Sequence, residues 1–374
     1  MRIGIITLPL HNNYGGILQA YALLKVLQKS GHDAMVIDRE RCVQLPTYRK
    51  YISYCKRLIK KIIKDRNLTI QWDKVYNHNI NIMRKNTYPF LLKHINRIVI
   101  KENYNELNSY KFDAFVVGSD QVWRPWQFGE NRISNAFLSF YHNQEIKRIS
   151  YAASFGTEDW EYTPAQTNEC KELIKKFDAV SVREDSAVKL CKEHFDVDAL
   201  HVLDPTMLLN AEEYINLFES AATPKSKGTL MCYILDADSN KDNLIANVAT
   251  TLNLKPFSVN SKYEIPNAPI EERIQPPVEE WIRGFYDAEY IVTDSFHACV
   301  FAILFKKPFI VYGNKERGMA RFLSLLKIFG LEDRLVLNAQ NAERAIDKPI
   351  DWNTVDIKLT EWRKKSLDFI SNNL

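Results

Sequence analysis

Residues 1–29, MRIGIITLPLHNNYGGILQAYALLKVLQK, decide the fold class. Ile3–Leu8 reads as a buried strand and His11–Gly16 as a polar loop ending in two glycines. From Ile17 to Lys29 the apolar residues recur at helical spacing. Strand, glycine turn and helix open a βαβ unit. Ala34–Asp38 reads as the next strand, and β-rich runs at Ala114–Gly118, Ile149–Ala153, Ala179–Val182 and Leu200–Leu203 each end in a polar loop. After Asp204-Pro205 the alternation restarts, with strands expected at Leu230–Leu235, Pro256–Val259, Tyr290–Thr293 and Phe309–Tyr312. The pattern predicts an α/β chain of two Rossmann-like, doubly wound parallel-sheet domains facing a cleft. The expected divisions are 1–205, 206–345 and a helical segment, 346–374, that packs back. Pro266–Pro277 reads as a surface loop of the second domain.

At 374 residues and 46% hydrophobic content, the chain is long enough for two cores. Its six cysteines show no CxxC pairing, and the N-terminus turns polar too early for a signal peptide, so a reducing cytoplasm is expected. No apolar run approaches the roughly 20 residues of a spanning helix. The charge is uneven: residues 49–66 hold eight Lys or Arg against Asp65 alone, more than the net +4 of the whole chain. Within them Ile52, Cys55, Leu58, Ile59, Ile62 and Ile63 form a helical apolar stripe flanked by Lys56, Arg57, Lys60, Lys61 and Lys64. Two readings stay open, a peripheral helix at the inner face of the plasma membrane and a helix packed on its own domain. Nucleic acid is not expected as a partner, because no binding motif accompanies the charge.

In open parallel sheets the ligand sits beyond the carboxyl ends of the strands, so the residues there are the candidates for chemistry. Asn13, Gly15 and Gly16 bring backbone N–H groups to a helix start, where an anion is favoured, or serve only a tight turn. Asp120, after Phe115-Val116-Val117, stands where it could take a proton from a sugar hydroxyl, and Trp123 offers a face for a sugar ring. Arg183 ends another strand and suits a carboxylate or phosphate. In Thr293-Asp294-Ser295-Phe296-His297, Asp294 or Ser295 can cap the next helix, leaving His297 in its first turn to donate a hydrogen bond to a phosphate and act as a proton source. The pairs Asp196/Asp198 and Asp236/Asp238 read as turns, and no metal is expected.

Six motifs occur in order: NNYGGILQAYAL, VGSDQVW, SYAASFG, SVREDSA, VLDPTMLL and TDSFHACVFAILFKKPFIV. Together they resemble the motif set of the polysaccharide pyruvyl transferase family, from Asn13 to about Asp333. The resemblance implies a GT-B-like pair of domains, phosphoenolpyruvate as donor substrate in the cleft, and no cofactor. It implies transfer of the pyruvyl group onto a sugar of a surface polysaccharide such as a capsule, or onto its lipid-linked precursor, as a cyclic ketal. Arg183 resembles the family's first phosphoenolpyruvate-binding arginine, and His297 the histidine beside the donor phosphate. Where studied members carry a second arginine, two residues before that histidine, this chain has Ser295. The donor charge then calls for another cation, and Arg317 and Arg321 are the candidates. The alternatives are a GT-B glycosyltransferase using a nucleotide sugar and a silent sugar-binding module.

Overall fold

A computed structural model describes the chain apart from residues 41–46, 64, 65, 67, 102, 142–144, 264, 266, 314–317 and 338. The first sheet holds β1 (Arg2–Ile6), β2 (Asp33–Arg39), β3 (Arg97–Ile100), β4 (Ala114–Val117), β5 (Lys147–Ala153), β6 (Ala179–Val182) and β7 (Leu200–His201). They lie in the order β3-β2-β1-β4-β5-β6-β7, and every pair is parallel. The second sheet holds β8 (Leu230–Tyr233), β9 (Pro256–Phe257), β10 (Tyr290–Thr293), β11 (Phe309–Tyr312) and β12 (Leu335–Val336), in the order β12-β11-β10-β8-β9, again parallel. Two parallel α/β sheets are therefore present. The central strands β4 (AFVV) and β10 (YIVT) are buried along their whole length, as strands covered by helices on both faces must be.

Strand order reverses beside β1 and β4 in the first sheet and beside β8 and β10 in the second. Crevices open at such switch points. The loops after β1, β4 and β10 are the ones that carry HNNYGG, GSDQVW and DSFH.

Two edge strands, β3 and β12, escape the sequence reading. Each is short, and β3 leaves Val99 exposed, so neither carries the buried apolar run that marks the central strands. The last helix, Trp352–Asn373, lies within the 346–374 segment and starts where Asp351 caps it through the N–H groups of Asn353 and Thr354. It packs against the segment that follows β7. Leu203 N donates to Ser366 Oγ (3.0 Å), and Arg363 donates to the carbonyls of Met207 (2.8 Å) and Leu209 (3.2 Å).

The basic segment forms the helix α2 (Thr47–Ile63), none of whose described side chains is buried. Lys64 and Asp65 lie outside the described residues. No described helix is long and apolar enough to cross a membrane.

Candidate active site

Helix α1 (Tyr14–Lys29) starts at Asn13, whose side-chain Oδ1 accepts from Gly16 N (3.2 Å). The next glycine does something different. A Cβ on Gly15 would lie 2.0 Å from Nδ1 and 2.3 Å from Cγ of His297, so the bare backbone is the surface against which the imidazole rests. Residues 282 positions apart thus meet at the boundary of the two sheets. Of the residues considered for an anion, Asn13 occupies the Gly16 N–H and the imidazole fills the Cβ side of Gly15, as a tight helix start also requires.

His297 stands in the first turn of the helix Phe296–Leu304, whose N-cap Ser295 makes no side-chain capping bond. Asp294 does not cap it either. Its carboxylate accepts from Leu235 N (2.7 Å), Asp236 N (3.1 Å) and Lys241 Nζ (3.0 Å), fastening the loop after β8.

The centre of the arrangement is Asp204, which the sequence reading used only as a boundary marker. Its Oδ1 accepts from Thr206 N (3.0 Å) and Thr206 Oγ1 (2.7 Å). Its Oδ2 receives Arg183 Nη1 at 2.8 Å, lies 3.4 Å from Ser119 Oγ, and sits 3.5 Å from His297 Nε2, an ion-pair distance rather than a short hydrogen bond. Arg183 uses its other terminal nitrogen on Asp120 Oδ1 (3.2 Å). The signal that marks Asp204 in the sequence is a polar residue directly after the apolar Leu200–Leu203 run.

Arg183 and Arg321 both approach the ring of Phe296, with their guanidinium carbons 4.5 and 5.6 Å from its centroid. Two like charges thus share one aromatic ring in a buried place. Burial, and then the neighbouring Arg183, push Arg321 down to about 10. Of the two candidate cations, Arg321 lies beside Arg183 at the Phe296 ring, while Arg317 lies outside the described residues. Burial alone would raise the carboxyl groups of Asp120 and Asp204. The charges of Arg183 and His297 outweigh it at both, with Arg321 adding at Asp120, and both sit below the usual carboxylate range. Glu184, beside Arg183, goes the other way. Its Oε1 accepts from Ser154 Oγ (2.9 Å), Phe155 N (2.9 Å) and Gly156 N (3.1 Å), but its buried Oε2 has no hydrogen-bond partner and burial lifts its pKa.

Trp123 is not available to a sugar. It is fully buried, stacked on Phe137 (5.1 Å, 7° between planes), and donates Nε1–H to Ala136 O (3.2 Å). Its indole belongs to the core, and the backbone leading to it turns at Asp120, which has positive φ. The stretch expected as a surface loop exposes Asn267, Pro269, Glu271 and Glu272, and its end turns inward: Gln275 is buried and donates to Asn12 O (3.0 Å), while Tyr14 Oη donates to Pro276 O (2.8 Å). Gly318 abuts Gly156, where a Cβ would sit 1.8 Å from the Gly156 carbonyl oxygen. These contacts close the crevice, so none of Arg183, Asp120, Asp204 and His297 is more than 5% exposed. Hollows of about 570 and 660 Å3 lie elsewhere, along α2 and beside Lys25, Tyr88 and Arg97. Asp238 caps the helix Ser239–Thr251 and Asp198 pairs with Lys192, so the Asp-x-Asp pairs serve local structure. Among the described residues, no group of three or more His, Cys, Asp or Glu is placed to hold a metal ion.

What remains is two guanidiniums and one imidazole, contributed by both halves and balanced by two ionised carboxylates. Such a set can take up a compact anion by exchanging carboxylate partners for ligand oxygens.

A family model for polysaccharide pyruvyl transferase matches residues 13–316. No curated protein matches the sequence. Among solved structures, the chain is similar to Os79 from O. sativa in complex with UDP (TM-score 0.50, 9% identity, covering 99% of this chain and 100% of the other). It is also similar to UDP-GlcNAc 2-epimerase from Neisseria meningitidis bound to UDP-GlcNAc (TM-score 0.48, 14% identity, 98% and 94% covered) and to S. aureus MnaA with UDP (TM-score 0.48, 12% identity, 100% and 97% covered). At these identities the likeness speaks to fold alone.

Proposed function

The chain belongs to the polysaccharide pyruvyl transferase family, and on that premise we propose that it moves the pyruvyl group of phosphoenolpyruvate onto a sugar of a surface polysaccharide or its lipid-linked precursor. The observation that carries the reading is the convergence of Arg183 and His297, from opposite sheets, on one oxygen of Asp204, with Arg321 across the Phe296 ring.

The donor carboxylate and phosphate replace Asp204 and Asp120 as partners of Arg183 and engage Arg321, Ser295 and His297. His297 supplies the proton that the methylene carbon takes up, which makes the adjacent carbon electrophilic. A sugar hydroxyl adds there and gives its proton to Asp120. Phosphate leaves with the C–O bonding pair, and a second hydroxyl of the same sugar closes the cyclic ketal and releases the second proton. A carboxylate is thereby installed on the glycan. Asp120 is a weak base while paired with Arg183 and gains strength as the donor takes over that arginine. The acceptor's lipid anchor places the reaction at the inner face of the plasma membrane.

Purified protein titrated with phosphoenolpyruvate and with nucleotide sugars separates this reading from nucleotide-sugar transfer. The expected result is thermal stabilisation by phosphoenolpyruvate alone, and stabilisation by nucleotide sugars alone refutes it. His297→Ala should keep the melting temperature and lose turnover by about 10²–10⁴-fold; full activity in that variant removes His297 from the mechanism.

A further inference from the structure

Helix α2 has one face tied to the protein and the opposite face tied to nothing among the described residues. The helix α3 (Trp72–Met83) supplies the ties. Tyr54 Oη donates to Asp73 Oδ1 (2.6 Å), Lys50 pairs with the same carboxylate (3.5 Å), and Trp72 Nε1 donates to Ser53 Oγ (3.3 Å). Arg57 donates to Thr69 O (2.8 Å). At about 100° per residue these four α2 positions fall within an arc of about 100°. Tyr48, Tyr51, Ile52, Leu58, Ile59, Ile62 and Ile63 fall on the far side, within about 140°. They are exposed, Ile62 at 74% and Ile63 at 72%. An apolar face this wide is normally buried against a partner.

Charge identifies the partner. α2 carries Arg49, Lys50, Lys56, Arg57, Lys60 and Lys61 and no acid. Arg49, Lys56 and Lys60 border the apolar face and, with Arg57, Ile52 and Ile59, line the hollow of about 570 Å3. A second copy laid face to face would oppose like charges. A bilayer with anionic lipids instead offers phosphates to the border and acyl chains to the isoleucines.

We infer that α2 docks this protein on an anionic membrane surface, with the Ile52–Ile63 face set into the headgroup boundary. α3 spans about 18 Å from that surface. Its last carbonyl, Met83 O, accepts from Gln275 N (3.0 Å), Asn86 donates to Gln275 O (2.9 Å), and Thr87 donates to His11 O (3.3 Å). Helix α2 and the His11 loop that leads into α1 are therefore joined by one short helix. Delivery of a lipid-linked acceptor to the crevice is the purpose, and that purpose rests on the proposed function; docking itself is measured without it.

The test is sedimentation of the full chain with phosphatidylcholine vesicles and with vesicles containing about one-third phosphatidylglycerol. Binding to the second only is expected, falling about tenfold or more in Lys56→Glu/Lys60→Glu and in Ile59→Asp/Ile62→Asp, with melting temperatures unchanged. A parent protein that stays in the supernatant with both vesicles overturns the inference. So does self-association by ultracentrifugation that the Ile59→Asp/Ile62→Asp variant abolishes while vesicle binding persists. Turnover on a water-soluble acceptor should be the same in both variants as in the parent, so failure of docking and failure of the pyruvyl reading register in separate assays.

Discussion

Replacing Gly15 with alanine places a new carbon 2.0 Å from His297 Nδ1, whereas ordinary contact begins near 3.4 Å. The imidazole must retreat by about 1.4 Å or the sheets must part, since neither backbone can give that much in a packed interior. The overpacking itself should cost about 1–3 kcal/mol, a tolerable loss for a fold of this size. Catalysis should suffer more, because displacement of a catalytic group by about 1 Å can cost on the order of 10²-fold. Gly16 is the internal control. A Cβ there meets nothing closer than Asn13 Nδ2 at 3.4 Å, and alanine in a helix is about 0.5–1 kcal/mol better than glycine. Phosphate release from phosphoenolpyruvate with acceptor present, measured beside thermal unfolding, reads both variants. Gly15→Ala should lose about 10²-fold in kcat/KM, and Gly16→Ala should match the parent in activity and equal or exceed it in Tm. If Gly15→Ala stays within about twofold of the parent, the contact between this backbone and His297 does not position the imidazole.

Trp123→Phe should lower Tm while leaving KM for the acceptor unchanged, because the indole packs on Phe137 and never meets the crevice; a large rise in acceptor KM with an intact Tm would restore it as a sugar platform. Glu184→Gln tests the buried carboxyl group. A pKa raised by burial means that Glu184's contribution is fully present below its unfolded value, about 4.3, and is lost as pH rises through the folded value. The Tm of Glu184→Gln minus that of the parent should therefore grow from pH 4 to pH 7, and a difference that is flat or shrinks over that window refutes the assignment.

Much of the molecule was legible in the chain because its information is local. Buried parallel strands read as unbroken apolar runs, so β4, β6, β10 and β11 stand within a residue of where the sequence puts them. The ligand-side loops follow from the same pattern, because a polar residue after each run has to lie at the sheet's carboxyl edge. Arg183 and His297 were found that way. Edge strands β3 and β12 were not, since a short half-exposed strand has no strong local pattern.

Which of those edge residues face the crevice, and which turn into the core, is a property of tertiary packing. Trp123 and Asp120 are three residues apart, yet one stacks on Phe137 and the other pairs with Arg183. Gly15 reads as a turn glycine until His297 is brought against it, and Asp204 reads as a domain boundary until Arg183, Ser119 and His297 gather on one of its oxygens. Electrostatics follow the same division. Sequence shows which groups can carry charge, and only burial beside particular partners decides that Asp204 is held ionised, that Glu184 is lifted, and that Arg321 is brought down, by burial first and then by a second guanidinium.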